Sequence, residues 1–509
     1  MAKKGIFASA LQVSAALFII KILGVFKQAL IAAICGATAE TDAYFIATGV
    51  ITALCTVVFS ALSISLLSIY TDRLIKQGRD SANKLISTTL LVFLPVALAI
   101  TVLFLIGSPA IAKILAPSYC GEQLQLFIRY IRIMAPMFPC YCYFLIINVV
   151  LETDKRFLPG KGQAFFQNLF VVIAAVCLYR KIGTQALVFA FLAAGIVNCV
   201  TITWSARKLF RFSFSPGGES QTIKYLLSIS VPLIVGNAIY EINDIVDKQI
   251  ASGLYHGNVS FLSYGASINE IVTTLMIQSV STVIFSHYAT WIAEGKIKEC
   301  GANLKHSLKY LFVIIMPVMV ICVVEGKQIV KILYGHGSFG ENEIMSTYGV
   351  VIGYAIGFVF QAARANLVKI YYAFQDTKRP MMNGAISVGI NVVLSILLSR
   401  VFGVAGIAAA TSIAMFIVTL LLLPGVKKYI PEFSIKTIFP ECGKGMICGA
   451  IIAVGAIGLK AWIPGEGFIK FVLIGAFVVL VYIGLMVLLK SECILHFVGI
   501  VESKLHRKG

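Results

Sequence analysis

Residues 85–107 read LISTTLLVFLPVALAITVLFLIG, 23 positions without a charged side chain. The hydrocarbon core of a bilayer takes about 20 consecutive apolar residues as a helix, so this stretch reads as a membrane span. Working outward, similar apolar runs separated by polar breaks lie near 8–35, 43–70, 123–150, 163–179, 184–206, 223–254 and 259–290. Further runs lie near 307–324, 343–369, 380–399, 404–424, 445–463 and 468–489, which makes fourteen candidate spans in 509 residues. The composition agrees: 59% of the chain is hydrophobic and 13% charged, and the mean hydropathy is +0.91. A soluble domain carries about 25% charged residues, which excludes that class. The 34 Phe and 20 Tyr exclude disorder. The expected fold class is therefore an all-α polytopic membrane protein.

The formal charge of +19 does not point to nucleic acid, because the basic residues sit in loops between apolar runs. They follow the positive-inside rule, under which cytoplasmic loops are rich in Lys and Arg. With the N-terminus inside, the inner segments hold 28 of the 42 basic residues, from Lys3 and Lys4 to Lys504, Arg507 and Lys508, and the outer segments hold 8. One missed helix would destroy this alternation. Fourteen spans with both termini cytoplasmic is the expected topology, with an uncleaved first span. The 12 Cys lie mostly in apolar segments and lack metal-ligand spacing, so they read as buried thiols.

The chain matches itself at an offset of about 220 residues. Lys27-Gln28 and Tyr44 correspond to Lys248-Gln249 and Tyr264; Ser63, Ser68 and Tyr70 correspond to Ser281, Ser286 and Tyr288. Asp154-Lys155-Arg156 corresponds to Asp376 through Arg379, and Asn168 and Gly183 to Asn391 and Gly406. Spans 1–6 thus recur as spans 7–12. Because six is even, the copies share an orientation and form a parallel pseudo-twofold repeat. Transporters commonly place substrate between such repeats. The expected division is a six-helix lobe at 1–215, a second at 216–430, and helices 13 and 14 with a cytoplasmic tail at 431–509.

A charge at mid-bilayer costs at least about 2.5–3.5 kcal/mol on insertion scales, so each one kept there needs a partner, water or a task. Span 1 carries Lys21 and Lys27, six positions apart, and at least one is expected to line a cavity. Span 7 carries Glu241, Asp244, Asp247 and Lys248. Its Glu241, Asp244 and Lys248 share a face, which reads either as an internal charge cluster or as the flank of a cation or proton site at Asp247 with Asn243. Glu270 in span 8 is a lone carboxylate expected to face a cavity. Arg129, Arg132 and Arg364 lie at span ends. No Walker loop, His-Glu-x-x-His or nucleophile elbow is present, so the reading is not an enzyme, and no cofactor is expected.

Several stretches resemble the MurJ (MviN) family, lipid II flippases of the multidrug/oligosaccharidyl-lipid/polysaccharide exporter superfamily. They are Ile22-Leu23-Gly24 through Thr41-Asp42-Ala43-Tyr44-Phe45, Asp247 with Ile250-Ala251-Ser252, and Leu333-Tyr334-Gly335 through Gly337-Ser338-Phe339. Gly406 through Ala410-Thr411-Ser412 matches too. The most specific stretch runs from Tyr372 to Pro380 and enters span 11.

The resemblance implies two six-helix lobes around a cationic cavity, with helices 13 and 14 forming a lateral groove for a lipid tail. It also implies movement of undecaprenyl-diphosphate-linked peptidoglycan precursor from the inner to the outer leaflet by alternating access. Residue by residue, it implies substrate contacts at Lys21, Lys27, Asp42 and Glu270. It implies a monovalent cation site at Asp247, Asn391 and Thr411 with the backbone of Ile407, and hence Na+ or H+ coupling. The chain departs from the family at Cys55 and Ser267, where arginines stand, at an acidic position reading Ser395, and in having lysines for arginines in span 1. The expected location is the bacterial cytoplasmic membrane, with membrane lipids and cell-wall synthesis proteins as partners and no nucleic acid. Three alternatives stand beside this reading: a flippase for another polyprenyl-linked glycan, a cation-coupled multidrug exporter, and a non-transporting scaffold.

Overall fold

A computed structural model describes residues 2–213, 219–465 and 467–495, with side chains from Gln12 onward apart from scattered positions between 240 and 293 and position 435. The side chains of Lys3, Lys4 and Ser286, and the tail with Lys504, Arg507 and Lys508, lie outside the described residues. Every regular element among the described residues is helical. The chain divides into two compact units, Met1–Ser260 with His336–Phe339, and Phe261–Gly335 with Gly340–Gly509.

The first unit contains α1 (Ala2–Cys35), α2 (Ala39–Cys55), α3 (Ala61–Leu115), α4 (Gly121–Met134), α5 (Met137–Thr153), α6 (Gly162–Cys177), α7 (Tyr179–Ile182), α8 (Gln185–Ala206) and α9 (Ser220–Ser252). α10 (Asn258–Val272) begins at its end. The second unit continues with α11 (Ser279–Ala293), α12 (Ile297–Val324), α13 (Gly326–Tyr334), α14 (Glu341–Ala355), α15 (Phe358–Ala373), α16 (Lys378–Phe402), α17 (Val404–Tyr429), α18 (Phe439–Trp462) and α19 (Phe468–Leu488). Among the described residues, eleven helices are long and apolar enough to cross a membrane, or twelve when α14 and α15, bent by 41°, count as one. One of the eleven runs over 77 residues from Ala39 to Leu115. It is interrupted at Gly78, whose φ of 82° breaks the helical path.

The internal repeat is written in the backbone. Left-handed residues occur at Gly36, Gly78, Gly121, Lys155 and Gly183, and again at Gly257, Gly295, Gly337, Gln375 and Gly403, at offsets of 216–221 residues. Both copies also insert a π-helical turn, at Thr56–Ser60 and at Thr273–Gln278. Such turns add a residue and re-aim the following side chains. By backbone conformation the counterpart of Gly183 is Gly403, with φ/ψ of 62°/−150° and 57°/−141°, and not Gly406. Gly406 has a packing role instead: a Cβ there would collide with the carbonyl of Leu398. Repeat-related tyrosines keep their environments, since Tyr44, Tyr264, Tyr70 and Tyr288 are all buried.

Without a hydrophobic drive between helices in lipid, close packing needs small residues and interhelical hydrogen bonds. In the second unit Gly349, Gly353 and Gly357, one turn apart, lie against Ala405, Ala408 and Ser412 of α17. A Cβ at Gly353 would come within 2.7 Å of the Ala408 methyl. In the first unit the Asn198 amide donates to Gln163 Oε1 at 2.6 Å, joining α8 to α6. Ser63 Oγ donates to the Leu145 carbonyl at 3.1 Å, joining α3 to α5.

Candidate functional site

α1 is fixed against α6 by Asn168, whose amide donates to the Ile20 carbonyl at 3.2 Å. Gly24, one turn on, gives that amide room, since a Cβ there would stand 3.3 Å from Asn168 Nδ2. This contact sets the rotation of the helix. Phe18, Ile22 and Phe26, four residues apart, form an exposed apolar stripe. At 3.6 residues per turn, Lys21 and Lys27 stand about 60° to either side of Gly24. Both are half-buried, and neither lies in the exposed apolar stripe.

Asp42 begins α2 and is 2% exposed. Its carboxylate accepts from the backbone amides of Gly257 and Ser260, both at 2.7 Å, and from the Ser260 hydroxyl at 2.6 Å. α2 thus lends α10 a cap. The first amides of a helix lack internal partners, and a carboxylate also suits the positive end of the dipole. In this geometry three acceptor positions of Asp42 are taken by protein donors. Also within the first unit, the Ser338 amide donates to the Ala33 carbonyl at 2.8 Å. A Cβ at Gly337 would run into that carbonyl oxygen.

On α9 the Lys248 ammonium pairs with Asp244 at 2.6 Å, and the lysine side chain is 15% exposed. The ammonium packs against α2 at Gly49, where a Cβ would lie 2.7 Å from Nζ. The charge cluster read from the sequence therefore exists at its Asp244–Lys248 edge, and Gly49 is the accommodating partner that spacing alone did not reveal. Asp247 is 5% exposed and accepts from the Asn243 amide at 3.1 Å.

In the second unit the Asn391 amide donates to Thr411 Oγ1 at 2.9 Å, Thr411 donates to the Ile407 carbonyl at 3.4 Å, and Ser395 donates to Asn391 Oδ1 at 3.4 Å. Three of the four expected cation-site positions thus meet within this unit, joined by Ser395. Asp247 belongs to the first unit. Their oxygens are hard donors of the kind that suit a small hard cation. Glu270 is exposed near the π-helical turn. Arg364 on α15 donates to Asn383 Oδ1 at 3.0 Å, while its Nη2 is buried without a partner. The sequence reading placed Arg364 only at a span end. Its half-buried guanidinium is the functional candidate that reading missed. Of the departures, Cys55 is wholly buried, and Ser267 donates to the Ser263 carbonyl of its own helix at 3.0 Å.

A family model described as "Lipid II flippase MurJ" matches residues 31–478. The chain belongs to the MurJ family. A probable lipid II flippase MurJ of Rhizobium tropici is 24% identical over 369 residues, covering 70% of this chain and 68% of the relative. One of Thermotoga maritima is 23% identical over 489 residues, covering 94% and 96%. A solved structure titled "Lipid II flippase MurJ, inward closed conformation" superposes with a TM-score of 0.82 at 25% identity, covering 94% of this chain and 98% of that one. A multidrug-resistance MATE transporter of the MOP superfamily shares the fold, with a TM-score of 0.71 at 13% identity.

This MurJ-family chain also carries an apolar groove within its second unit. Two adjoining cavities of about 430 and 380 Å³ share Phe312, Val359, Phe360 and Met446. The walls come from α12, α15, α17 and α18. The resemblance led us to expect helices 13 and 14 together. Of these, α18 lines the groove, and α19 packs against α18 and α12.

Proposed function

We propose that this protein is a lipid II flippase of the bacterial cytoplasmic membrane, moving the undecaprenyl-diphosphate-linked peptidoglycan precursor from the inner to the outer leaflet by alternating access. The observation that carries the reading is the family membership over residues 31–478, combined with Lys21 and Lys27, which α1 holds off its exposed apolar stripe. A diphosphate head cannot cross hydrocarbon unaided. Lysines and an arginine inside the spans replace part of its hydration with charge, and lysine serves as a mobile point charge for phosphate. The groove along α18 gives the polyprenyl tail an apolar track while the head moves.

The proposed topology is fourteen spans with both termini in the cytoplasm. The 77-residue helix is long enough to cross twice, and α10 with α11 (Asn258–Ala293) is proposed as a further span. The two repeats are proposed as the lobes that alternate. Lys21 and Lys27 are the proposed phosphate contacts and Glu270 a further proposed substrate contact, while Asp42 is proposed to serve the path through the segment that its carboxylate caps. Asp247 and the Asn391–Thr411–Ile407 cluster are the groups through which Na+ or H+ would couple. The membrane potential is a second driving force, worth about 2.3 kcal/mol per charge per 100 mV. Cell-wall synthesis enzymes are proposed partners, since they consume the product at the outer leaflet.

The test is complementation. The wild-type chain, expressed in a bacterium depleted of its own flippase, restores growth and wall synthesis; Lys27→Ala does not. Normal growth with a membrane-inserted Lys27→Ala variant would refute the cationic path.

A further inference from the structure

We propose that the first unit binds an anionic glycerophospholipid in a groove between α1, α6 and α8, with Lys161 holding the headgroup phosphate. The groove has a volume of about 380 Å³, and Ile20, Lys161, Gly162, Phe166, Thr201 and Ser205 are among its lining residues. It lies wholly within the first unit, apart from the α18 groove, and the inference stands whichever glycan the protein carries.

The chemistry of the lining selects the ligand. Ile20, Phe166 and their neighbours make an apolar wall suited to an acyl chain. Thr201 and Ser205 have satisfied their hydroxyls on the carbonyls of Asn198 and Thr201, at 2.9 and 2.8 Å, and so present methyl and methylene groups. Lys161 is the single charged lining residue. It is half-buried, and its ammonium makes no hydrogen bond or ion pair among the described residues, although its backbone amide donates to the Leu158 carbonyl at 3.0 Å. The neighbouring acids are engaged elsewhere. Asp154 pairs with Arg79 at 3.3 Å and Arg156 at 3.0 Å, and Glu152 accepts from Asn148 at 2.9 Å.

The helix that begins directly after Lys161 adds positive charge to it. The first turn of α6 contains no acid and no side-chain cap, leaving the positive end of its dipole open. Arg207 lies over the exposed ring of Trp204 at 4.8 Å, an arrangement typical of a headgroup-level anchor. A cation beside an apolar slot at this level matches a phosphate above an acyl chain. The volume suits a single acyl chain, so one chain of the glycerophospholipid enters the groove while the other stays in the bilayer.

The experiment uses the full-length protein in neutral detergent, offered equal phosphatidylglycerol and phosphatidylcholine, with retained lipid counted by native mass spectrometry. Wild type retains phosphatidylglycerol preferentially. Lys161→Gln lowers that retention about fivefold, the equivalent of about 1 kcal/mol per lysine at an anionic surface, and Lys161→Arg preserves it. Thr201→Trp, which fills the slot without touching charge, lowers retention of both lipids. Lys76→Gln, on an exposed lysine of α3 already paired with Asp72, leaves retention unchanged. Three results would each overturn the proposal: wild-type retention in both Lys161→Gln and Thr201→Trp, an equal loss in Lys76→Gln, or displacement of the lipid by inorganic phosphate alone.

Discussion

Replacing Asp42 is the most informative local perturbation, because one carboxylate serves three donors. In Asp42→Ala the amides of Gly257 and Ser260 lose their acceptor, while the Ser260 hydroxyl can rotate to another. An orphaned buried donor costs about 1–3 kcal/mol, so the two amides together cost about 2–6 kcal/mol. Asp42→Asn keeps one acceptor oxygen and turns an amide group toward the other donor, which costs about 1–3 kcal/mol. The loss falls on the loop before α10 and on its first turn, so local opening registers it better than global unfolding. Every 1.4 kcal/mol is tenfold in an equilibrium, and exchange of these amides should rise about 30-fold or more in Asp42→Ala. Asp42→Asn should give an intermediate rise. Hydrogen exchange with mass spectrometry on a peptide covering 253–260, with one from α8 as the internal reference, reads this directly. Exchange in Asp42→Ala within about twofold of wild type would refute the assignment of Asp42 as the external cap of α10.

Other consequences are testable in the same protein. Gly353→Leu drives a side chain into Ala408 and the Ala405 carbonyl, and overpacking of this kind costs about 1–3 kcal/mol or more; a lower melting temperature in detergent checks it, while Gly458→Leu, where a Cβ meets nothing within 4 Å, should be neutral. Asp247→Asn should weaken growth without abolishing it, measured by complementation across external Na+ concentrations and pH. Ala450→Trp narrows the groove along α18 and should slow appearance of the precursor at the outer leaflet at unchanged protein level. At the α15–α16 loop, burial raises the Asp376 carboxyl, but the Tyr429 hydroxyl, the backbone amides of Arg379 and Lys378 and the Arg379 charge outweigh it and leave its pKa below the ordinary value. A depressed folded pKa contributes stability above the ordinary carboxylate range and loses it as pH falls through the folded value; the melting temperature should therefore drop on acidification, and less steeply in Asp376→Asn.

What was legible in the sequence was what periodicity and charge encode. Long apolar runs such as 85–107 mark helices whatever their partners, and the spacing of Glu241, Asp244 and Lys248 on one face offered a charge cluster as one of two readings, of which the Asp244–Lys248 ion pair is present. The repeat was visible too, but its alignment drifted. Lys155 and Gln375 occupy the same left-handed break with no glycine to announce it, and Gly406 drew the match away from Gly403. Contacts between distant segments were illegible for a physical reason: nothing local to Asp42 says that its donors lie 215 and 218 residues away. Likewise nothing in the run around Cys55 foretells a π-helical turn directly after it. The Asn391–Thr411 pairing came from resemblance to the family and not from the residues themselves, while Ser395 joined it only in three dimensions.

The most direct measurement is the transbilayer distribution of lipid II in cells whose own flippase is depleted and replaced by this chain. Wild type is expected to restore lipid II to the outer leaflet, whereas Lys27→Ala, inserted at equal level, leaves it on the cytoplasmic face. Lipid II reaching the outer leaflet at the wild-type rate through Lys27→Ala, or remaining inside with the wild-type chain, would contradict that expectation.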